Sequence, residues 1–357
     1  MNIARKRQMR NVGILTLLLV LIAPLIPYAI SAVSGSSVQG NEYQTQVKHP
    51  GGDLWREVRQ RDTDVIGRTQ VKGVDTGILI NKSGEDWRQY RMEMLAPYGA
   101  YLMGAILGLI VLFYLVRGTL RIPGGFSGKK ILRFTLNERM VHWFTVVIFW
   151  LLGVTGLILL YGRMVLIPLL GLEGFSITAS ASKEVHNLIG PLFLVAMLAL
   201  IITFIKDNFY ASGDLKWLFK AGGMLGGHVS AGRFNAGEKV WYWLASFLGL
   251  ALCVTGLILD FAILGQSREI MALSHVIHTI AAIVMIAVSF GHIYLGTAGM
   301  EGSLSSMSTG YVDENWAKAH HDRWYEEMQA TTAKDSKQEA VAGGVAATGK
   351  ASPISDN

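Results

Sequence analysis

The stretch from residue 276 to residue 297, VIHTIAAIVMIAVSFGHIYLGT, decides the fold of this chain. It is apolar apart from two histidines and a few small polar residues, and an α-helix needs about 20 such residues to cross a bilayer. Five further runs of similar character lie at about 12–30, 97–116, 141–161, 187–205 and 240–264. Backbone groups in lipid must hydrogen-bond within their own segment, so each run predicts a helix. We therefore expect an all-α integral membrane protein.

The composition excludes several classes of protein. Of the 357 residues, 51% are hydrophobic and 16% are charged, whereas soluble domains average about 25% charged residues. The single cysteine, Cys253, excludes an internal disulfide, a cysteine zinc site, an iron–sulfur cluster held by this chain alone and the two-cysteine c-haem motif. The net charge of +6 comes mostly from basic residues beside apolar runs, which indicates a membrane surface and no nucleic acid partner.

The first apolar run differs from the others. It follows four basic residues, contains Pro24 and Pro27 and ends in small residues, which is the layout of a secretory signal peptide. We expect residues 1–34 to be a signal peptide or, as the alternative, a retained N-terminal anchor. The polar residues of 35–95 predict an extracytoplasmic region, and 96–117 predict an additional transmembrane helix.

The last four apolar runs fall within residues 131–326 and predict a four-helix bundle, whereas residues 327–357 have no apolar period and predict a disordered tail. Lysine and arginine concentrate in the segments 117–139 and 206–239. By the positive-inside rule these two segments are cytoplasmic, whereas the loop that holds Arg163 and Lys183 and the loop that holds Arg268 are poorer in basic residues and face outward. The C-terminus is then cytoplasmic.

Two patterns recur in the bundle with an offset of 100 residues. The matching segments are ERMVHWF at 138–144 with EKVWYWL at 238–244, and VTGLIL at both 154–159 and 254–259. The last four helices are therefore predicted to form two tandem hairpins; the alternative is that membrane helices share a limited alphabet. Tyr242 stands where the first copy has His142.

Four of the nine histidines lie within or at the ends of apolar runs: His142, His186, His278 and His292. Ionisable residues in a membrane are costly, so they are candidate functional residues, although a lone histidine can also be a polar contact between helices. His278 and His292 are 14 residues apart, which places both near one helix face with a rise of about 21 Å. The predicted topology pairs His186 with His278 near the outer surface and His142 with His292 near the inner surface.

Two pairs of imidazoles at two depths of a four-helix bundle suit two b-type haems. Two axial histidines leave no open position for oxygen, so such haems carry electrons only. His275 is expected to be a surface residue beside His278, with a role as replacement ligand as the alternative. His228, His320 and His321 fall in predicted cytoplasmic segments and are expected to be solvated.

Six short motifs surround or follow these histidines: Met140-Val141-His142-Trp143, Val185-His186 followed by Gly190, RFNAGEK at 233–239, Ile277-His278, Gly291-His292-Ile293-Tyr294 and NWAKAHHDRWY at 315–325. A histidine in a membrane helix is weakly specific, whereas the Asn-Ala-Gly run and the segment at 315–325 are much more specific. With these motifs, residues from about 131 to 326 resemble the gamma subunit of respiratory formate dehydrogenase, a membrane b-type cytochrome. The resemblance implies a four-helix dihaem cytochrome b bundle, here preceded by the additional helix and the signal or anchor segment.

The resemblance also implies an activity and partners. The four histidines would ligate two haem b groups in the pairs given above. An iron–sulfur beta subunit and a molybdenum- or tungsten-dependent alpha subunit would oxidise formate outside the bacterial inner membrane. Electrons would pass from the outer haem to the inner haem and reduce a quinone, either menaquinone or ubiquinone, near the cytoplasmic surface.

The quinone pocket of that family maps onto Asn235, Ala236, Gly237 and Glu238. The family often has Gln at the last position, and Glu adds a titratable proton donor. Asn235 and Glu238 also predict a helix N-cap with a capping box, and both roles are compatible. The aromatic C-terminal segment is expected at the headgroup belt of the inner surface; it holds Trp316, His320, His321, Trp324 and Tyr325.

Two other functions remain open from the sequence. The first alternative is the cytochrome b subunit of another exported oxidoreductase, such as a nickel–iron hydrogenase. The second alternative is a haem-free membrane transporter or anchor whose histidines bind a proton or a transition metal. The sequence has no nucleophile–base pair and no phosphate loop, so the formate-oxidising site is expected on a partner.

Overall fold

Long apolar helices dominate the computed structural model, which describes residues 82–223, 229–261 and 265–333. The predicted leader at 1–34, the first part of the predicted extracytoplasmic region, His228 and the tail beyond 333 lie outside the described residues. Within them, four helices are long and apolar enough to cross a membrane: Gly84–Arg117, Leu136–Asp207, Ala236–Asp260 and Arg268–Gly299. The expected all-α membrane fold is confirmed.

The first long helix begins earlier than the sequence predicts. Helix α1 (Lys82–Gln89) continues through a π-helical turn (Tyr90–Leu95) into helix α2 (Ala96–Arg117). The bounds of α2 agree with the additional transmembrane helix predicted at 96–117. Helix α1, however, extends into the region 35–95 that is expected to be extracytoplasmic, because its polar residues carry no apolar signal but still form a helix.

Helix α2 packs closely through its first turn. A Cβ atom on Gly99 would lie 2.5 Å from Cδ1 of Ile283 and 2.9 Å from the hydroxyl of Tyr161, so a larger side chain does not fit without a shift. The Tyr161 hydroxyl also donates to the carbonyl oxygen of Ala96 at 2.9 Å. Many apolar side chains further along α2 are exposed, which suits a helix in contact with lipid.

The longest helical element, α3 (Leu136–Phe204), consists of two helices that meet at Gly171. Gly171 has a φ of 73° and a ψ of 178°, a conformation that is essentially restricted to glycine. The chain reverses at this break, because Thr155 lies beside His186 and Thr145 lies beside Ala196. Residues on either side of the break therefore run antiparallel.

The helices predicted at 141–161 and 187–205 are both present in α3. The loop expected between them, at 162–186, is wrong, since those residues are helical on both sides of Gly171. Charged residues lower the apolar character there, but arginine, lysine and glutamate have high helix propensity and therefore do not end a helix.

The second hairpin consists of α5 (Ala236–Asp260) and α6 (Arg268–Tyr294), and the short helix α4 (Asp214–Phe219) precedes it. Both long helices overlap the runs predicted at 240–264 and 276–297. Each begins earlier than its apolar run, because the charged residues of the first turn are helical as well. A π-helical turn (Leu295–Gly299) follows α6.

Short elements that the sequence analysis does not predict join the segments outside the long helices. Strand β1 (Lys130–Leu132) pairs antiparallel with β2 (Tyr311–Asp313), and Ile131 lies opposite Val312. Helices α7 (Ser303–Ser308) and α8 (Glu314–His320) flank β2. Residues 322–333 are helical, so helix extends into the tail predicted at 327–357.

The described residues fall into two compact units. The first comprises 82–109, 143–200 and 246–290, with residues 262–264 outside the described set; the second comprises 110–142, 201–245 and 291–333, with residues 224–228 outside it. His186 and His278 lie in the first unit. His142 and His292 lie in the second unit. Each histidine pair therefore lies within a single unit.

Candidate functional site

His186 and His278 form the first candidate site. Their ring centroids are 6.2 Å apart and the ring planes are inclined by 69°. His186 lies in the second half of α3, and His278 lies in α6. The structure thus brings together the two histidines that the predicted topology assigns to the outer surface.

Threonine hydroxyls hold both rings of this pair. Thr155 Oγ1 lies 2.8 Å from the carbonyl oxygen of Leu151 and 2.9 Å from Nδ1 of His186. A carbonyl oxygen can only accept, so the single hydroxyl hydrogen points to Leu151. Thr155 therefore accepts a hydrogen bond from Nδ1–H of His186. The lone pair of the ring is then on Nε2.

The same arrangement recurs at His278. Thr255 Oγ1 lies 2.6 Å from the carbonyl oxygen of Ala251 and 3.0 Å from Nδ1 of His278. By the same reasoning Nδ1 is the donor and Nε2 carries the lone pair. A histidine that ligates a metal generally donates its other ring N–H to an oxygen in this way. Both rings are therefore in the tautomer that metal ligation through Nε2 requires.

The repeated VTGLIL segments explain this similarity. Thr155 and Thr255 occupy the same position in the two copies, and each is followed by a glycine. A Cβ atom on Gly156 would lie 3.4 Å from Cε1 of His186, and one on Gly256 would lie 3.3 Å from Cε1 of His278. Sequence reasoning missed the two threonines as site residues, although the offset of 100 residues was the signal that could have found them.

His142 and His292 form the second candidate site. Their ring centroids are 6.4 Å apart with an interplanar angle of 59°. Trp241 stacks on His292 with a centroid distance of 5.0 Å and an interplanar angle of 18°. Tyr242, at the position equivalent to His142, donates to the carbonyl oxygen of Ile201 at 2.9 Å. The tyrosine of the second copy thus bonds to the protein backbone.

The spacing of both pairs fits an iron atom between two imidazoles. Metal–imidazole bonds are about 2 Å long, so opposed ligands would separate the ring centroids by about 6 Å. The observed separations of 6.2 Å and 6.4 Å agree with this value. The residues present therefore fit haem iron with two axial histidines at each site, and their role as ligands stays a prediction.

Three further histidines, His275, His320 and His321, lie among the described residues. His275 is half-buried and packs edge-on against Trp87, with a centroid distance of 5.1 Å. His320 packs against Trp316 at 5.3 Å. His321 is buried, with 1% of its surface exposed, so the expectation of a solvated His321 is wrong. A sequence window around it contains charged residues and does not reveal the tertiary burial.

The predicted quinone residues all have structural contacts. Asn235 Oδ1 accepts from Glu238 N–H at 3.0 Å, and Asn235 N–H donates to Glu238 Oε2 at 2.8 Å. The predicted capping box is therefore confirmed. Ala236 is buried. A Cβ atom on Gly237 would lie 2.9 Å from the ring of Trp217, so glycine lets that ring approach the start of α5.

Two arginines at equivalent positions of the repeat exchange matching contacts. Nη2 of Arg133 donates to the carbonyl oxygen of Arg233 at 3.1 Å and to Glu238 at 3.0 Å. Nη2 of Arg233 donates to the carbonyl oxygen of Arg133 at 3.0 Å and to Glu138 at 2.7 Å. Each arginine thus binds the glutamate of the other copy of the repeat.

The two arginines have different surroundings. Burial lowers the pKa of Arg133 from its ordinary value, and its guanidinium lies 4.8 Å above the ring of Trp316, a cation–π contact. Burial also acts on Arg233, but hydrogen bonds to Glu138 and Asp207 outweigh it and raise the pKa of Arg233. Arginine is not deprotonated in proteins, so both guanidinium groups are charged beside the start of α5.

The C-terminal aromatic residues are mostly packed inside the second unit. Trp316 and Trp324 are 2% and 6% exposed, and they pack with Ile122 and Val312 in one apolar cluster. These two tryptophans therefore pack inside the protein and do not face lipid headgroups, whereas the expected position of the segment at the inner surface stays a prediction. Tyr325 is partly buried, and its hydroxyl donates to Glu314 at 2.6 Å. Aromatic residues serve both environments, so their presence does not decide between them.

His321 is held between the backbone and the arginine–glutamate cluster. Its Nδ1 lies 2.8 Å from the carbonyl oxygen of Gly232, and its Nε2 lies 3.9 Å from Glu238 Oε2. Since the carbonyl can only accept, Nδ1 is the donor. Burial, followed by the charge of Arg133, holds the pKa of His321 well below its ordinary value. The ring is therefore neutral at neutral pH.

Paired imidazoles on long apolar helices are typical of membrane cytochromes of the b type. Comparison with known families agrees, since residues 133–310 match the family described as prokaryotic cytochrome b561. The chain belongs to this family and is a multi-pass membrane protein. As a cytochrome b, it carries haem b.

Curated relatives make the comparison more specific. The chain is 27% identical over 221 residues to the formate dehydrogenase, nitrate-inducible, cytochrome b556(Fdn) subunit of Escherichia coli (strain K12), which covers 60% of this chain and 99% of the relative. It is 27% identical over 212 residues to the formate dehydrogenase, cytochrome b556(fdo) subunit of the same organism, with 58% and 97% covered. It is 26% identical over 208 residues to the formate dehydrogenase, cytochrome b556 subunit of Haemophilus influenzae, with 56% and 84% covered. The resemblance found in the sequence is thereby confirmed.

We expect acid to destabilise the folded protein through His321. Because its folded pKa lies below the unfolded value near 6.5, unfolding takes up a proton as the pH falls below about 6.5, and stability is lost by up to about 1.4 kcal/mol per pH unit. His321→Asn keeps a donor for the Gly232 carbonyl and should flatten this dependence. Thermal unfolding of the purified protein between pH 7 and pH 5 measures it, with His320→Asn as the control. Equal acid sensitivity of both variants would contradict the assignment.

We expect Thr255→Val to weaken haem retention at the His186–His278 site. The change removes the acceptor that fixes the His278 tautomer without changing side-chain volume, and loss of such a partner costs about 10–100-fold in metal affinity. The ratio of haem to protein after a graded detergent challenge measures the effect. Thr279→Val is the matched control, because Thr279 is also buried and its hydroxyl donates to the carbonyl oxygen of His275 at 2.8 Å. Thr255→Ser should restore retention; equal losses in the two valine variants would argue against a specific role.

Proposed function

We propose that this chain is the electron-carrying, quinone-reducing subunit of a formate dehydrogenase complex. The observation that carries the proposal is the presence of two opposed histidine pairs, His186 with His278 and His142 with His292, at spacings that fit haem iron. The formate dehydrogenase subunits with which the chain shares 26–27% identity support the choice of complex.

The proposed ligand sets assign one haem b to each pair. Haem b supplies one-electron transfer when it is bound with two axial histidines, because no open position remains for oxygen. Thr155 and Thr255 orient the rings of the first pair so that Nε2 faces the metal. Trp241 covers one face of His292 and restricts the orientation of that ring. The protein thus provides rigid ligands and keeps the two sites within apolar helices.

The proposed direction of transfer follows from the partners and the topology. An iron–sulfur beta subunit delivers electrons from a molybdenum- or tungsten-dependent alpha subunit on the extracytoplasmic side of the bacterial inner membrane. The basic segments 117–139 and 206–239 support a position of the His142–His292 pair near the cytoplasmic surface. A quinone there takes its protons from the cytoplasm, so each charge moved against 100 mV stores about 2.3 kcal/mol.

The quinone is proposed to bind at the start of α5, beside Asn235, Ala236, Gly237 and Glu238. Asn235 and Glu238 are half-buried, so their side chains remain partly accessible. The capping box uses Asn235 Oδ1, which leaves the amide group Nδ2 as a donor for a quinone carbonyl. Glu238 is anchored by Arg133 at 3.0 Å, which holds a titratable carboxyl group beside this position.

We expect His292→Ala to remove one of two low-spin b-haem signals and to abolish quinone reduction, because it deletes a ligand of the pair nearest the quinone. His186→Ala should remove the other signal. Reduced-minus-oxidised absorption and electron paramagnetic resonance spectra of the purified complex measure this, with Tyr242→Phe as the control that keeps both haems. Two haems in the His292→Ala protein would refute the pairing, and a nickel–iron partner instead of a molybdopterin protein would refute the choice of complex.

We expect Asn235→Ser to slow quinone reduction while both haems remain. Serine retains the helix N-cap, so the change removes the amide group but preserves the fold. The rate of quinone reduction by the formate-reduced complex is the measurement. Thr135→Ser, at the equivalent cap of the first copy, is the matched control, because Thr135 accepts from Glu138 in the same capping box. An unchanged rate in Asn235→Ser would place the quinone elsewhere.

A further inference from the structure

Three buried donor groups without a hydrogen-bond partner lie together in the first unit. They are Nε1 of Trp87, Nε of Arg91 and Nδ1 of His275. Buried polar groups in proteins almost always have a partner. Arginine is among the costliest side chains to place within a membrane. The three groups therefore indicate a ligand that accepts hydrogen bonds.

Their contacts bring the three side chains to one place. Trp87 and His275 pack edge-on with ring centroids 5.1 Å apart. Arg91 follows Trp87 by one helical turn, and its guanidinium interacts electrostatically with His275. Nη2 of Arg91 donates to the carbonyl oxygen of Leu159 at 3.2 Å, which fixes the guanidinium and leaves Nε available.

The cluster lies one helical turn from the His186–His278 pair along two separate helices. In α6, His275 precedes His278 by three residues, and residues with this spacing are neighbours on a helix surface. In α3, Leu159 follows Thr155 by four residues, and Thr155 holds the ring of His186. Two independent helices therefore place the unpartnered donors next to the same histidine pair.

The chemistry of the cluster selects an anion with more than one acceptor oxygen. An indole N–H and a guanidinium group can only donate, and Nδ1 of a neutral histidine donates in one of its two tautomers. A carboxylate offers acceptors to several donors at once and compensates the charge of the arginine. Haem b carries two propionate carboxylates at the edge of its ring.

We infer that Trp87, Arg91 and His275 bind a propionate carboxylate of the haem held by His186 and His278. The inference rests on the proposed function, because it requires a haem at that pair. It gives the half-buried His275 a role distinct from that of a replacement ligand. Trp87 and Arg91 precede the residues that match the cytochrome family, 133–310, so helix α1 and the π-helical turn after it would complete this site from outside the matched part of the chain.

Arg91→Gln tests the inference by removing the positive charge. A cation beside a haem disfavours its oxidised and more positive state, so the midpoint potential of the His186–His278 haem should fall, and that of the other haem should stay unchanged. An optical redox titration of the purified complex measures both potentials. Arg88→Gln is the matched control, because Arg88 lies one turn earlier, is 57% exposed and pairs with Glu85 at 2.7 Å. The control should leave both potentials unchanged.

Trp87→Phe provides a second test that retains the ring against His275 and removes only the N–H donor. It should lower the same potential by less than Arg91→Gln and change the propionate bands in the resonance Raman spectrum. Unchanged potentials in both variants, with two haems present, would overturn the inference and leave the proposed function intact. Loss of bound phospholipid phosphate from Arg91→Gln at unchanged potentials would also overturn it, because a lipid headgroup would then be the anion. Absence of haem from the unaltered complex would refute the proposed function itself.

Discussion

A hydrogen bond from an imidazole Nδ1–H to a threonine hydroxyl is the interaction on which the first candidate site depends. Without a fixed partner, a neutral histidine in an apolar helix can place its lone pair on either nitrogen. Thr155 and Thr255 remove this freedom, since each hydroxyl gives its own hydrogen to a backbone carbonyl in its helix. The backbone carbonyl therefore sets the direction of the hydroxyl, the hydroxyl sets the tautomer, and the tautomer presents Nε2 for metal binding. The geometry of the helix thus determines the chemistry of the ring.

Residues at equivalent positions of the internal repeat make matching contacts in both units, but with different partners. In the first unit, the equivalent Thr-Gly pairs support His186 and His278 in the same way. In the second unit, Arg133 and Arg233 cross over to the glutamates of the opposite copies. The copies differ next to the second candidate site: Tyr242 stands where the first copy has His142, and Trp241, which stacks on His292, stands where it has Val141. Equivalent positions of the repeat thus hold a histidine of a candidate site in one copy and a tyrosine that bonds to the backbone in the other.

Much of this arrangement could be predicted from the sequence, because apolar length and histidine depth depend on local composition. The bounds of α2 and the two histidine pairs follow from that information. The helical reversal at Gly171 could not be found in this way, since hydropathy does not distinguish a polar helical turn from a loop. The burial of His321 and Trp316 was missed for a related reason: both depend on contacts between residues far apart in the chain. The threonines were missed because a hydroxyl in a membrane helix usually bonds to its own backbone, and only the second contact shows its role.

Polar contacts contribute more than apolar contacts to the attachment of the helix formed by α1, the π-helical turn and α2. Lipid is as apolar as a leucine side chain, so burial of apolar surface against another helix gives little driving force in a membrane. Close packing at Gly99 and two hydrogen bonds to backbone carbonyls, from Tyr161 and from Arg91, join this helix to the first unit. One carbonyl bond does not compensate a guanidinium group that is withdrawn from water. A counter-charge beside Arg91 would offset this cost, so the inferred propionate carboxylate would also help to join the added helix to the bundle in the assembled protein.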